Sequence, residues 1–396
     1  MALDSSTVVG VVGAGAMGTG IAQVAATAGH QVVLADAMPG AVERARASIA
    51  ASVARDVEKK RITGEAADAL ISRIEFDTSP LEQEPQRFRR CGLLVEAIVE
   101  DLDAKRGLMR HLQVRTHDAV LATNTSSLSV TAIAAACPSP ERVLGLHFFN
   151  PPPLMPLVEV VPPTSGDRSL VDAAAHLMRS WGKTPVVASD TPGFIVNRIA
   201  RPFYGESIRI LEEGIADSST IDWAMREIGG FRMGPFELMD FIGNDVNFAV
   251  TRSVYDGMFQ DPRYKPSLTQ QRLVEAGRLG RKSGAGYYDY SSDARPEANK
   301  DVVLGRQIVD RVVAMLMNEA IDAVYMRVAS PADVDLAMTR GVNYPKGLLA
   351  WADELGAPTV LDRIERLHAE YAEDRYRPSP LLRRTARENG RFLSPP

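Results

Sequence analysis

The chain reads as an α/β domain on a mostly parallel sheet, followed by two tandem all-α domains. Two observations predict this. Up to about residue 190, short apolar runs alternate with helical stretches, the pattern of strands buried on both faces and covered by helices. From Pro192-Gly193 onward the patterns are mainly helical, and they repeat. Ile221-Asp222-Trp223-Ala224-Met225 corresponds to Val334-Asp335-Leu336-Ala337-Met338, Glu206 to Glu319, and Gly234, Asp240 and Gly243 to Gly347, Asp353 and Gly356. Every pair is 113 positions apart. One offset held through helix and turn positions is the mark of a tandem duplication.

In chain order, Thr7–Val12 is a continuous apolar run that reads as a buried strand. It feeds Gly13-Ala14-Gly15-Ala16-Met17-Gly18, after which Ile21–Ala28 reads as a helix closed by Gly29. Gln31–Leu34 is a second strand, ending at Asp36. A helical hairpin follows over about 39–74. Strand-like runs return at Leu93–Ile98, Ala119–Thr123, Arg142–Leu146 and Val158–Val161. The domains are therefore expected at 1–190, at 191–290 for the first helical copy and at 301–396 for the second. The polar, Pro296-containing stretch 291–300 links the copies.

The composition narrows the function classes. With 396 residues, 45% hydrophobic, the chain can build several cores. A formal net charge of −5 gives no global basic field for nucleic acid or an anionic membrane. Two cysteines, Cys91 and Cys137, do not make a disulfide framework. The N-terminus lacks the basic and apolar regions of a signal peptide, and no apolar run reaches membrane-spanning length. A cytoplasmic protein is expected, with no nucleic-acid or membrane partner and no metal.

The glycine loop is the first chemical signal. G-x-G-x-x-G here follows a buried strand, opens a helix, and has an acid at the end of the next strand, which is the context a dinucleotide requires. Gly13 permits the tight turn, Gly15 lets backbone approach a pyrophosphate, and Gly18 lets helix and strand pack closely. Ala16 and Met17 lie in this loop as cofactor-binding candidates, and the helix N-terminus that follows would offer free N–H groups to the phosphates. Asp36 would accept the ribose hydroxyls and repel a 2′-phosphate, so NAD is expected rather than NADP. The first domain is then of Rossmann type.

The second signal is Leu146-His147-Phe148-Phe149-Asn150-Pro151-Pro152-Pro153-Leu154-Met155-Pro156-Leu157-Val158-Glu159. A histidine precedes a rigid, proline-rich bend, and a carboxylate returns twelve residues later. Such a return can set an imidazole against a carboxylate, as in a general base. A buried structural histidine is the alternative. Pro156 cannot donate a ladder hydrogen bond, so the strand carrying Glu159 must start late or lie at an edge.

Taken together, these segments resemble the L-3-hydroxyacyl-CoA dehydrogenases. Further matching segments are Leu94-Val95-Glu96-Ala97-Ile98-Val99-Glu100, Thr123-Asn124-Thr125-Ser126-Ser127-Leu128, Asp190-Thr191-Pro192-Gly193-Phe194-Ile195-Val196-Asn197-Arg198, Met233-Gly234-Pro235-Phe236-Glu237-Leu238 and Gly280-Arg281-Lys282-Ser283-Gly284. The resemblance covers residues 7 to about 290. It implies NAD-dependent, reversible oxidation of an L-(S)-3-hydroxyacyl-CoA to the 3-oxoacyl-CoA. By it, His147 is the general base, oriented by Glu159, and Ser126 and Asn197 hold the substrate's oxygens. It also implies that Glu100, Lys105, Asn150 and Lys282 contact NAD, and that Ser52, Lys59 and Ser126 contact coenzyme A. Taken alone, Glu100 and Lys105 read equally well as an exposed pair at the start of a helix, Asn197 as a helix cap and Ser126 as a turn residue.

The duplicated helical domain resembles that of bacterial 3-hydroxyadipyl-CoA and 3-hydroxybutyryl-CoA dehydrogenases, which implies a role in aromatic or fatty-acid catabolism. Asp310 stands where Asn197 would recur, so the second copy is expected to be non-catalytic. The copies could form an internal pseudo-dimer, in a monomer or a homodimer. The alternatives are an NAD-dependent dehydrogenase of a CoA-free hydroxyacid or sugar acid, and a non-catalytic NAD-binding protein.

Overall fold

The computed structural model describes residues 3–79, 85–116, 118–292 and 296–393. Residues 1–2, and residues 293–295 of the expected linker, lie outside the described residues. The chain forms two compact units, Met1–Thr191 and Pro192–Pro396.

The first unit is built on an eight-stranded sheet. Its strands are β1 (Val9–Val12), β2 (Val32–Ala35), β3 (Ile74–Asp77), β4 (Leu93–Glu96), β5 (Val120–Thr123), β6 (Val143–Phe148), β7 (Leu157–Val161) and β8 (Thr184–Val187). The order across the sheet is β3-β2-β1-β4-β5-β6-β7-β8. All neighbours run parallel except β6 and β7. That one antiparallel pair follows from chain length: eight residues, 149–156, join the two strands, too few for the helical crossover a parallel pair needs. The β1, β4 and β5 side chains are buried throughout, as their continuous apolar runs require.

Helices α1 (Ala16–Thr27), α2 (Ala41–Glu58), α3 (Gly64–Ser72), α4 (Leu102–Thr116), α5 (Val130–Ala134) and α6 (Arg168–Ser180) complete this unit. Ile21, Ala25, Val42, Ile49, Leu177 and Met178 pack on one face of the sheet, and Met109, Leu112 and Ile133 on the other. Strands β3 and β8 do not stand out in the sequence. Both are short edge strands, and three of the four β3 residues, Glu75, Phe76 and Asp77, are only partly buried or exposed. A half-buried edge carries little apolar signal.

The second unit is helical. It comprises α7 (Val196–Ile199), α8 (Arg201–Glu212), α9 (Ser218–Trp223), α10 (Pro235–Ile242), α11 (Asn244–Gly257), α12 (Leu268–Glu275), α13 (Val302–Tyr325), α14 (Pro331–Gly341), α15 (Leu348–Leu355), α16 (Ala357–Tyr371) and α17 (Pro380–Arg387). The 113-residue offset carries α9 onto α14, α10 onto α15 and α11 onto α16, and it carries α7 and α8 together onto α13. Repeated residues do repeated work. Asp222 accepts the backbone N–H groups of Phe236 and Glu237 at the start of α10. Asp335 does the same for Leu349 and Ala350 at the start of α15.

The two copies are joined by a reciprocal exchange of charges. Arg198 donates to Glu319 at 2.7 Å and to Asp322 at 3.0 Å. Its counterpart Arg311 donates to Glu206 at 2.9 Å and to Glu213 at 2.7 Å. The hydroxyls of Tyr264 and Tyr376 close the two clusters on Glu319 and Glu206. Apart from Glu213, these groups are almost wholly removed from water. Burial opposes the charge on Arg198, but the carboxylates outweigh it and hold the guanidinium's proton more tightly than usual.

Candidate active site

The glycine loop joins β1 to α1. Gly13 has φ of +106°, and a Cβ there would meet the Ala97 carbonyl oxygen at 2.4 Å, so only glycine makes this turn. A Cβ on Gly18 would overlap the Gly13 carbonyl, whereas one on Gly15 would meet nothing within 4 Å. Gly18 therefore serves packing, and Gly15 leaves open space. Gly15 and Ala16 are exposed and Met17 is half-buried. The α1 N-terminus has no side-chain cap and no acid in its first turn. Uncapped amides over an open glycine fit a pyrophosphate. Asp36, at the end of β2, accepts the Ala14 N–H at 2.5 Å and the Met38 N–H at 2.7 Å. The acid thus braces the glycine loop, a role its sequence position does not disclose.

His147 on β6 and Glu159 on β7 are directly opposed in the antiparallel ladder. Their side chains lie on the same face by that register, and His147 Nδ1 meets Glu159 Oε2 at 2.6 Å. Glu159 is fully buried and His147 nearly so. A buried carboxylate at Nδ1 fixes the ring's tautomer and orientation. Phe149 packs on the imidazole, with ring centroids 4.6 Å apart. The buried Asn124 side chain accepts the backbone N–H of Phe148 at 2.9 Å and steadies the strand beside His147.

Pro156 is accounted for by the ladder. β7 begins at Leu157, one residue later, so the missing N–H falls outside it. The strand starts late, yet it is interior, between β6 and β8. The Pro156 carbonyl accepts the N–H of Thr184 at 2.7 Å. Lys183 gathers the bend by donating to the carbonyl oxygens of Pro152 and Met155, the latter at 2.8 Å. A Cβ on Gly20 of α1 would come within 2.7 Å of the Pro152 ring, so the bend packs directly on the helix of the glycine loop.

Burial pushes the Lys183 ammonium down to about 8 from the usual 10.5. Between those values the unfolded chain binds the extra proton, so this lysine's contribution to stability rises with pH across that window. Neutral, its amine still has two N–H groups for the two carbonyls. Lys183→Met is expected to melt below the parent chain, with a gap that widens from about pH 8 to about pH 10. A gap that narrows on this range, followed by thermal denaturation, would contradict this placement.

Glu100 gathers the segment after β5. It accepts the Thr125 hydroxyl at 2.6 Å, the backbone N–H of Ser126 at 2.8 Å and of Ser127 at 3.1 Å, and the Ser126 hydroxyl at 3.2 Å. Burial opposes ionisation of Glu100, but Lys105 and these donors outweigh it and hold the carboxyl below the usual carboxylate range. The reading of Glu100 and Lys105 as an exposed pair does not hold. Lys105 is 1% exposed and lies beneath Glu100, donating to Glu96 at 2.6 Å and meeting Glu100 at 3.3 Å. An ammonium in so dry a place needs both carboxylates. Asp190 likewise accepts the N–H groups of Val130 and Thr131 at the start of α5.

The remaining candidates fall in both units. Asn150 is exposed, just after β6. Ser52 is half-buried on α2 and accepts from Gln23 at 3.3 Å, while Lys59 is exposed at the end of that helix. In the second unit, Asn197 lies within α7, where its backbone carbonyl accepts from Arg201 at 2.7 Å. Lys282 pairs with Asp245 at 2.6 Å and stays half-exposed.

Comparison with known proteins places the chain in one family. The family model for the 3-hydroxyacyl-CoA dehydrogenase NAD binding domain matches residues 8–191, and that for the C-terminal domain matches 193–290 and 308–392. A 3-hydroxyadipyl-CoA dehydrogenase of Escherichia coli K12 is 39% identical over 96% of this chain and 97% of its own. A 3-hydroxybutyryl-CoA dehydrogenase of Bradyrhizobium diazoefficiens is 41% identical over 71% of this chain and 94% of its own. The crystal structure of a 3-hydroxybutyryl-CoA dehydrogenase from Escherichia coli K12 superposes with a TM-score of 0.91 at 38% identity, covering 98% of this chain and 99% of that one.

Proposed function

Because the chain belongs to the 3-hydroxyacyl-CoA dehydrogenase family, we propose that it oxidises an L-(S)-3-hydroxyacyl-CoA to the 3-oxoacyl-CoA, reversibly and with NAD. The observation that carries this reading is the buried His147–Glu159 pair at the bend that packs on the glycine-loop helix. NAD, when bound, supplies the hydride acceptor. The uncapped amides of α1 would hold its pyrophosphate and Asp36 its ribose hydroxyls, with Glu100, Lys105, Asn150 and Lys282 as further cofactor positions. His147 takes the proton from the substrate's 3-hydroxyl at Nε2 and returns it in the reverse direction. Glu159 at Nδ1 stabilises the imidazolium between these steps. Ser126 and Asn197 orient the substrate's oxygens, and Ser52 and Lys59 meet the coenzyme A portion.

The relatives' names include both adipyl and butyryl thioesters. This chain is read as a cytoplasmic enzyme acting on one of these in aromatic or fatty-acid catabolism. No helix among the described residues is long and apolar enough to cross a membrane. The helical copies, 191–290 and 301–396, are read as an internal pair. The second copy takes the place of a partner subunit and carries no catalytic group of its own.

Stereochemistry tests the reaction. The (S)-3-hydroxyacyl thioester should reduce NAD and its (R) enantiomer should not; equal rates for both would overturn the reading. Asp36 tests the cofactor. NADH should be preferred over NADPH in kcat/KM by roughly 100-fold, the worth of charge-assisted hydrogen bonds against charge repulsion. Asp36→Ala should narrow that ratio, and a parent chain equally active with both cofactors would contradict the assignment.

A further inference from the structure

Buried arginines in the second unit come with carboxylates, with one exception. Arg198, Arg311 and Arg375 each contact at least two acids. Arg201, at the start of α8 and 6% exposed, contacts none among the described residues. Its guanidinium donates to the Asn197 carbonyl at 2.7 Å and to the Thr251 hydroxyl at 2.9 Å, and it lies 5.0 Å from the centre of the Tyr204 ring. Every one of these neighbours is neutral. Burial accordingly makes Arg201 a stronger acid than usual, the opposite of the shift at Arg198 and Arg311. Desolvating a cation without a counter-charge is costly, so a fold that keeps one there needs a reason.

The duplication shows that the helical fold is not the reason. At the 113-residue offset, Arg201 becomes Ala314, Tyr204 becomes Met317 and Thr251 becomes Ile364. The fourth group of the cluster comes from the second copy: the centre of the Tyr344 ring lies 5.8 Å from that of Phe203, which lies 5.5 Å from that of the Tyr204 ring beneath Arg201. The counterpart of Tyr344 in the first copy is Phe231. The same helical architecture therefore stands at the related position with apolar residues alone. Tyr344 is 6% exposed, and its hydroxyl is buried with no hydrogen-bond partner. A desolvated cation and an unused phenol donor, held in one buried cluster, are complementary to one carboxylate.

We propose that Arg201 and Tyr344 bind the terminal carboxylate of a dicarboxylic 3-hydroxyacyl-CoA, and so select ω-carboxyl chains over methyl-ended ones. The inference rests on the dehydrogenase reading above and on Asn197, whose carbonyl Arg201 grips, as a substrate contact. It gives the second copy a task beyond pairing, since Tyr344 comes from that copy. Preference arises because a methyl-ended chain would leave the cation and the phenol unpaired, and sites built around polar groups reject analogues that lack the matching group.

The test measures kcat/KM for 3-hydroxyadipyl-CoA and for 3-hydroxyhexanoyl-CoA, chains of equal length, in the full chain and its variants. The parent should prefer the ω-carboxyl substrate. Arg201→Leu should lose roughly 100-fold on that substrate and less on the methyl-ended chain, where only the donor to the Asn197 carbonyl is lost. Tyr344→Phe, which removes a single oxygen, should lose roughly 10-fold with the same selectivity, and it decides the matter if Arg201→Leu does not fold. Equal losses on both substrates, or no loss on the ω-carboxyl chain, overturn the proposal while leaving the dehydrogenase reading intact. Failure of the parent chain to turn over either thioester with NAD overturns that underlying reading instead.

Discussion

His147→Gln is expected to lower kcat by roughly 10²–10⁴-fold, the range a positioned general base contributes, while the affinity for NAD stays nearly unchanged. Glutamine fills similar space and can still donate toward Glu159, so the β6–β7 ladder should survive. What is lost is a group able to take and return a proton. Glu159→Gln should also lower kcat, though less, because the ring stays in place with its favoured tautomer and charge partner changed. Steady-state kinetics and a direct titration of NAD separate these effects. A His147→Gln protein that loses NAD affinity along with turnover would mean that the histidine serves the cofactor site, not the proton transfer.

The chain cut after Tyr290 is expected not to survive as a folded, active monomer. The cut removes Glu319 and Asp322 from Arg198, and it removes Arg311, Arg375 and Tyr376 from Glu206. Breaking a buried ion pair costs about 3–5 kcal/mol, because one charge stays buried without a partner. Two such losses approach the whole stability of an ordinary domain. The apolar face that α13 covers on α8 is lost as well. Because Arg198 and Glu206 occur in the first copy as Arg311 and Glu319 do in the second, two truncated chains can repeat the exchange with each other. Sedimentation should find dimers or aggregates. A monomer with full activity would contradict the reading of the second copy as an internal partner.

The parts of the fold visible in the sequence are those where one physical demand dominates. β1, β4 and β5 are buried on both faces, and their apolar runs announce it. Gly13 and Gly18 are required by backbone contacts that no side chain tolerates, so their spacing survives as a motif. The duplication is visible because Asp222 and Asp335 cap equivalent helices and the glycines keep their intervals.

What the sequence conceals depends on long-range pairing. Lys105 looks like a solvent-facing helix residue until β4 brings Glu96 beneath it. Lys183 is an ordinary turn lysine until the proline bend folds back onto it. Arg201 differs from its buried neighbours only by the absence of an acid, which no single-sequence pattern can signal. Of the candidate site, the His147–Glu159 register is the strongest link between sequence and geometry. Twelve residues, a proline-rich bend and a two-residue strand period bring the two side chains onto one face.

The central claim is that this chain transfers hydride between NAD and the 3-position of a CoA thioester. Oxidation of NADH by acetoacetyl-CoA, measured beside free acetoacetate at equal concentration, tests it most directly. The account predicts rapid NADH consumption with the thioester and little with the free acid. Turnover of the free acid at a comparable rate, or none with the thioester, would contradict it.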